Sequence, residues 1–157
     1  KWLFSLSSVV FSFINTIFSI IAIFIIVILT GGKVYLIFLF IPLILFYLFL
    51  FSLGFGMILA SISVFFRDVT HLYNIFLTLI MYLTPIFYPE NIIPKSYKSL
   101  ISLNPLLHYV KYFRKIVFEG VFPNITLNIT CFVIGVVTLF IGVLVFKKKE
   151  NEFVLYV

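Results

Sequence analysis

Charged side chains are scarce in this sequence: they make up 10% of 157 residues, 11 Lys and Arg against 5 Asp and Glu. An average soluble domain carries about a quarter charged residues, so a water-soluble globule is excluded. Cysteine is nearly missing as well. Cys131 stands alone inside an apolar run, which excludes a disulfide-stapled secreted scaffold. Glycine-rich phosphate loops followed by Lys and Ser or Thr do not occur, so this chain does not hydrolyse ATP. Gly54-Phe55-Gly56 lacks the further Gly of a dinucleotide loop and lies within an apolar run. The five carboxylates, two histidines and one cysteine form no acid/base pair and no nucleophile beside a base, so no enzyme is read here. His71 has no metal-ligand cluster around it, and no metal site is expected. An initiator Met is missing too, and Lys1-Trp2-Leu3-Phe4 lacks the features of a signal peptide, which reads as a fragment whose beginning is absent.

Apolar side chains are what the sequence has in abundance, at 64% hydrophobic and 20% aromatic, with 22 Phe. A core of this size cannot hide them all, so lipid must solvate the remainder. Disorder is excluded by the same figures. The runs are continuous rather than alternating, which excludes a transmembrane barrel and leaves helices. The net charge of +6 sits at the ends of apolar runs, where it meets lipid headgroups rather than nucleic acid.

Charges divide the sequence: none falls between Lys1 and Lys33, Lys33 and Arg67, Asp68 and Glu90, or Glu119 and Lys147. A hydrocarbon core about 30 Å thick needs roughly 20 helical residues, and each interval meets that length. Four spans are therefore expected, near residues 11–30, 36–64, 69–87 and 125–146. Residues 1–10, with Ser5, Ser7 and Ser8, are expected along the interface, with Trp2 at headgroup depth. Pro42 is the expected bend of the long second span. Ser52, Gly56 and Ala60 recur every four residues there, a small-residue face for close packing, and Gly135 and Gly142 mark another in the last span. Arg67 and Asp68 are too costly for mid-membrane and belong at an interface, with Asp68 at the N-cap of the third span.

Between the third and fourth spans the chain does not read as an ordinary loop. Thr84-Pro85-Ile86-Phe87-Tyr88-Pro89 stops a helix and supplies an aromatic belt. Pro94 and Asn104-Pro105 then punctuate an apolar stretch into two short helices, about 94–103 and 105–119. In the second, Leu106, Tyr109, Val110, Phe113, Ile116 and Val117 share one side, with His108, Lys111 and Lys115 opposite. Such a helix lies in the headgroup plane or forms half of a re-entrant hairpin. Lys111, Arg114 and Lys115 are candidate contacts for lipid phosphate or an anionic substrate group. Asn124 and Asn128 each begin a glycosylation sequon, but the second is drawn into a span and both are discounted. The fold class is thus all-α and polytopic, with four transmembrane helices and a pair of short re-entrant or interfacial helices. Cations counted on the two sides do not fix orientation; Lys147-Lys148-Lys149 directly abuts its span and favours termini in the cytoplasm.

The order of these motifs carries a resemblance. A small-residue helix, then Val64-Phe65-Phe66-Arg67-Asp68-Val69, then a span ending Leu83-Thr84-Pro85-Ile86-Phe87-Tyr88-Pro89, then Leu103-Asn104-Pro105-Leu106 and an aromatic, basic helix resembles the permease of ABC type-2 exporters. Within that family it is most similar to the exporters of polysaccharide, O-antigen and teichoic acid, from about residue 5 to 147. Family permeases carry further spans, so the resemblance assigns this chain to the carboxyl-terminal part, with the amino-terminal part of the domain missing.

The resemblance implies the permease subunit of an ATP-driven exporter of lipid-linked polysaccharide in a bacterial inner membrane, its C-terminus cytoplasmic. It implies a second permease copy and two cytoplasmic ATP-binding subunits, with ATP and Mg held there and no cofactor in this chain. Phe66, Arg67 and Asp68 would form the cytoplasmic turn coupled to the ATPase. Pro85, Phe87, Tyr88 and Pro89 would face outward, and Tyr82, Phe87, Tyr88 and Tyr109 could stack on sugar faces. The same fold carrying a drug, peptide or lipid is a second reading, and a non-transporting scaffold, with which no ATPase would copurify, is a third.

Cysteines placed at positions 111, 114 and 115 are expected to react with soluble maleimides more slowly than cysteines in an unstructured loop. Equal labelling rates would overturn the interfacial placement of this helix.

Overall fold

The computed structural model describes residues 2–29, 35–64, 69–86 and 101–150, which are almost wholly helical. In chain order they form α1 (Trp2–Leu29), a 3-10 turn (Leu36–Phe40) that runs into α2 (Ile41–Ser63), α3 (Val69–Leu83), α4 (Pro105–Arg114) continued by a π turn (Lys115–Glu119), and α5 (Ile125–Glu150). A helix satisfies its own backbone donors and acceptors, which hydrocarbon requires. Three segments are long and apolar enough to cross a membrane: Ser7–Ile26, Leu36–Ser63 and Ile125–Lys149.

Three details differ from the sequence expectation. Residues 2–10 continue α1 without a break rather than forming a separate interfacial piece. Neither Gly nor Pro interrupts the first 30 residues, and hydroxyls there bond within the helix, Thr16 to the Ser12 carbonyl at 2.9 Å and Ser19 to the Asn15 carbonyl at 3.0 Å. Pro42 sits in the first turn of α2, where the 3-10 turn gives way to α-helix and no intrahelical N–H is needed, rather than at a mid-helix kink. The expected third span, 69–87, is a 15-residue helix, about 22 Å long against a core of about 30 Å. The described helices thus give three membrane-length segments and a shorter fourth. Positions 87–100, which hold most of the expected helix 94–103, lie outside the described residues.

The core sits between α2 and α5, which run parallel and share the most extensive interface. Gly54 lies directly against the backbone of Thr138 and Leu139, and Gly142 against the backbone of Gly54. A Cβ on Gly135 would meet the Tyr47 carbonyl oxygen at 2.9 Å. Gly135 and Gly142 therefore do pack as a close-approach face, but their counterpart on α2 is Gly54. The stripe Ser52, Gly56, Ala60 is divided: Ser52 is exposed, Gly56 faces Val9 of α1, and Ala60 flanks Met57 and Phe146. Small residues let backbones approach closely where a partner helix faces them, and Gly142 meets Gly54 in this way.

α1 runs antiparallel to α2, from Val9 beside Gly56 to Phe24 beside Phe38, and none of the residues in its apolar span is buried. α4 lies across α2 and α5 with Leu107, Tyr109, Tyr112 and Ile116 buried. Its buried stripe is thus turned toward Tyr112 and faces protein. The π turn ends at Gly120, whose φ of 65° suits glycine and whose missing side chain leaves room for the Tyr35 ring. Lys147, Lys148 and Lys149 fall in the last turn of α5, at the end of the bundle where α2 exits and α3 begins.

Gly54→Ala and Gly142→Ala are expected to destabilise the full-length protein by about 1–3 kcal/mol, the usual cost of overpacking. Gly56→Ala, whose added Cβ has Val9 Cγ2 nearest at 3.6 Å, should be tolerated. Thermal unfolding in detergent separates the two classes, and equal midpoints for all three would refute the packing assignment.

Candidate functional site

Polar groups gather where α3 ends and α4 begins. Thr84 closes α3 by donating both its N–H and its hydroxyl to the Ile80 carbonyl, at 2.8 and 2.7 Å. Pro85 follows, with no N–H to extend the helix, and both residues are fully buried. Asn104 starts α4 as an extended N-cap ahead of Pro105 at the first helical position, and its Oδ1 accepts from the Leu106 N–H at 3.0 Å. Its Nδ2 donates to Thr84 Oγ1 at 2.7 Å. The Thr84-Pro85 and Asn104-Pro105 motifs, 20 residues apart in sequence, are therefore one junction in space. Arg114, at the far end of α4, donates from Nη2 to the Ile86 carbonyl at 2.9 Å. His108 Nε2 donates to the Ser102 carbonyl at 3.2 Å, tightening the approach to α4.

A second polar group fixes α4 to the core. Tyr47 of α2 donates to Asn128 Oδ1 at 2.9 Å, and Asn128 Nδ2 donates to the Tyr112 hydroxyl at 3.3 Å. Tyr109 donates to the Cys131 carbonyl at 3.0 Å and packs against the Phe51 ring. In an apolar surrounding each unpaired polar atom costs free energy, so these bonds make the α2, α4 and α5 contact specific. Burial pushes both phenols up: Tyr109 above its ordinary range, with Cys131 adding to the effect, and Tyr112 to about 12, with Tyr47 and Cys131 adding. Both stay protonated and able to donate.

The residues singled out from sequence are placed unevenly. Phe66, Arg67 and Asp68 lie outside the described residues, as do Phe87, Tyr88 and Pro89. Pro85 is buried in the junction. Tyr82 is 67% exposed at the same end of α3, whereas Tyr109 is 4% exposed with its hydroxyl engaged, so its ring faces are taken by the core. Arg114 serves the Ile86 carbonyl rather than standing clear of the protein; Lys111 and Lys115 lie partly exposed beside it. Sequence reasoning passed over Tyr47, Tyr112 and Asn128 as a set. The signal was a carboxamide inside an apolar run, which hydrocarbon tolerates only with a partner. Asn128 is half-buried within α5 and hydrogen-bonded there, which removes its sequon from consideration.

A groove of about 530 Å3 separates α3 from α1 and α2, lined in part by Ser12, Thr16, Ser52, Gly56 and Tyr73, with Asn104 at its α4 end. Its lining is mainly apolar, with Phe13, Phe49, Phe51, Phe55 and Phe76 among the few hydroxyls.

Residues 1–118 match the family described as ABC-2 type transporter, a stretch that contains α1 through α4 and the whole Thr84, Asn104 and Arg114 junction. The chain is 27% identical over 104 residues to an O-antigen export system permease protein RfbA of Klebsiella pneumoniae, covering 66% of this chain and 40% of that protein. It is 32% identical over 105 residues to an RfbA permease of Myxococcus xanthus, with 66% and 40% covered. It is 31% identical over 101 residues to the polysialic acid transport protein KpsM of Escherichia coli, with 64% and 39% covered. The matched stretch thus spans about two fifths of each relative's length. With its motifs in the order of that family and three membrane-length helices, the chain belongs to the ABC-2 type transporters, multi-pass membrane proteins of the permease type.

Proposed function

We propose that this chain is part of the permease subunit of an ATP-driven exporter of lipid-linked polysaccharide, of the O-antigen, capsule or teichoic-acid type. The observation that carries the reading is the family match over residues 1–118 together with relatives in three organisms named for O-antigen export or polysialic acid transport. Two permease copies form the passage, and two cytoplasmic ATP-binding subunits, which hold ATP and Mg, drive it. The protein resides in the bacterial inner membrane with its C-terminus in the cytoplasm. The grouping of Lys147, Lys148 and Lys149 at the end where α2 exits supports this orientation, since cytoplasmic flanks are enriched in cations.

On this reading Phe66, Arg67 and Asp68 form the cytoplasmic turn that receives motion from the ATPase. The junction of α3 with α4 then lies at the outward end, where Tyr82, Phe87 and Tyr88 offer rings to sugar faces. Lys111, Arg114 and Lys115 meet lipid phosphate or an anionic group of the cargo.

Affinity purification of the tagged full-length protein from native membranes is expected to bring down an ATPase subunit with Walker motifs. Loss of the permease should leave glycan accumulating inside the cell. Absence of an ATPase would overturn the reading in favour of a scaffold. Arg67→Ala in the full-length protein is expected to lower export by about tenfold, the scale of one lost contact of about 1.4 kcal/mol. Normal export at normal protein level would remove Arg67 from the coupling turn.

A further inference from the structure

α3 is hydrogen-bonded to α4 at its C-terminal end. Its side chains from Leu72 to Leu83 are mostly exposed, its contact with α2 is slight, and the groove of about 530 Å3 lies between it and the body of the bundle. At its C-terminal end two bonds from α4 converge, Asn104 Nδ2 to Thr84 Oγ1 at 2.7 Å and Arg114 Nη2 to the Ile86 carbonyl at 2.9 Å. The residues that carry the donors start from opposite ends of α4, their backbones about 15 Å apart along its axis, while the acceptors are two residues apart. One bond would leave a swivel; two that approach from separated origins fix direction as well as distance. α4 is itself anchored by Tyr109 to the Cys131 carbonyl and by Tyr112, through Asn128, to Tyr47.

We propose that Asn104 and Arg114 are positioning residues that clasp the end of α3 at Thr84 and Ile86 to the body formed by α2, α4 and α5, and so set the direction in which α3 leaves that junction. The inference rests on the export reading for its use: the clasp holds α3 in the orientation that bounds the groove, and export depends on that orientation. The polar atoms support such a role. Thr84 is 1% exposed, so its hydroxyl finds its partners inside the protein, and Asn104 divides its carboxamide between two tasks, capping α4 with Oδ1 and holding Thr84 with Nδ2.

That division makes the clasp separable from the cap. Asn104→Ser keeps an N-cap of similar quality but is too short to reach Thr84. Thr84→Val keeps the shape and removes the acceptor. In proteoliposomes holding the full-length permease and its ATPase subunit, each variant is expected to lower glycan exported per ATP hydrolysed by about fivefold, the effect of one net hydrogen bond. The double variant should be no worse than either single, because both remove the same bond. Wild-type export by Asn104→Ser, or losses that multiply in the double variant, would overturn the proposal.

A second readout does not depend on transport. Spin labels at the exposed positions Leu83 and Phe118 should give one narrow distance in the wild-type protein, broadened by Asn104→Ser and by Arg114→Ala. A distribution that neither substitution changes would overturn the clasp. If the wild-type complex exports no glycan while the labels respond as expected, the export reading fails and the clasp stands.

Discussion

Backbone contact between α2 and α5 sets the geometry on which the other elements depend. Gly54 and Gly142 remove the side chains that would hold the two helices a full diameter apart, and Gly135 does the same where Tyr47 presents its carbonyl oxygen. In lipid no hydrophobic gain separates helix from helix, so close packing and hydrogen bonds must supply the association. The parallel run of the pair then carries Tyr47 to the level of Asn128 and Cys131, where α4 can be received.

α4 turns that level into a platform. Its buried stripe puts Tyr109 and Tyr112 against α5 and α2, and every polar tip on that stripe has a partner. The opposite ends of α4 reach to α3, one through a carboxamide and one through a guanidinium. The protein itself anchors this helix, through Tyr109 and Tyr112 on its buried stripe and Asn104 and Arg114 at its ends. The apolar stripe of residues 105–119 is therefore satisfied against protein.

Conformational freedom is distributed unevenly as a result. Among the described residues α2, α4 and α5 share backbone contact and hydrogen bonds, whereas α1 buries none of its span and α3 is bonded to α4 at its C-terminal end. Elements with few buried contacts open or shift at lower free energy than the core.

Much of this was legible along the chain. The spacing of charges marked the apolar segments, Thr84-Pro85 marked the end of α3, and Asn104-Pro105 marked the start of α4, because lipid exclusion of charge, the missing N–H of proline and N-cap preference are local rules. The order of these motifs also pointed to the family that residues 1–118 then matched. Pairings were not legible. Ser52, Gly56 and Ala60 formed the clearer repeat, yet Gly54 met Gly142; Tyr109 looked open for a sugar, yet its ring was buried; and nothing in the spacing announced that Arg114 holds the Ile86 carbonyl. One-dimensional spacing states which residues share a helix face, and local chemistry states where a helix begins and ends. Which face meets which neighbour depends on the depth and rotation at which two helices fit, and only the tertiary structure decided that.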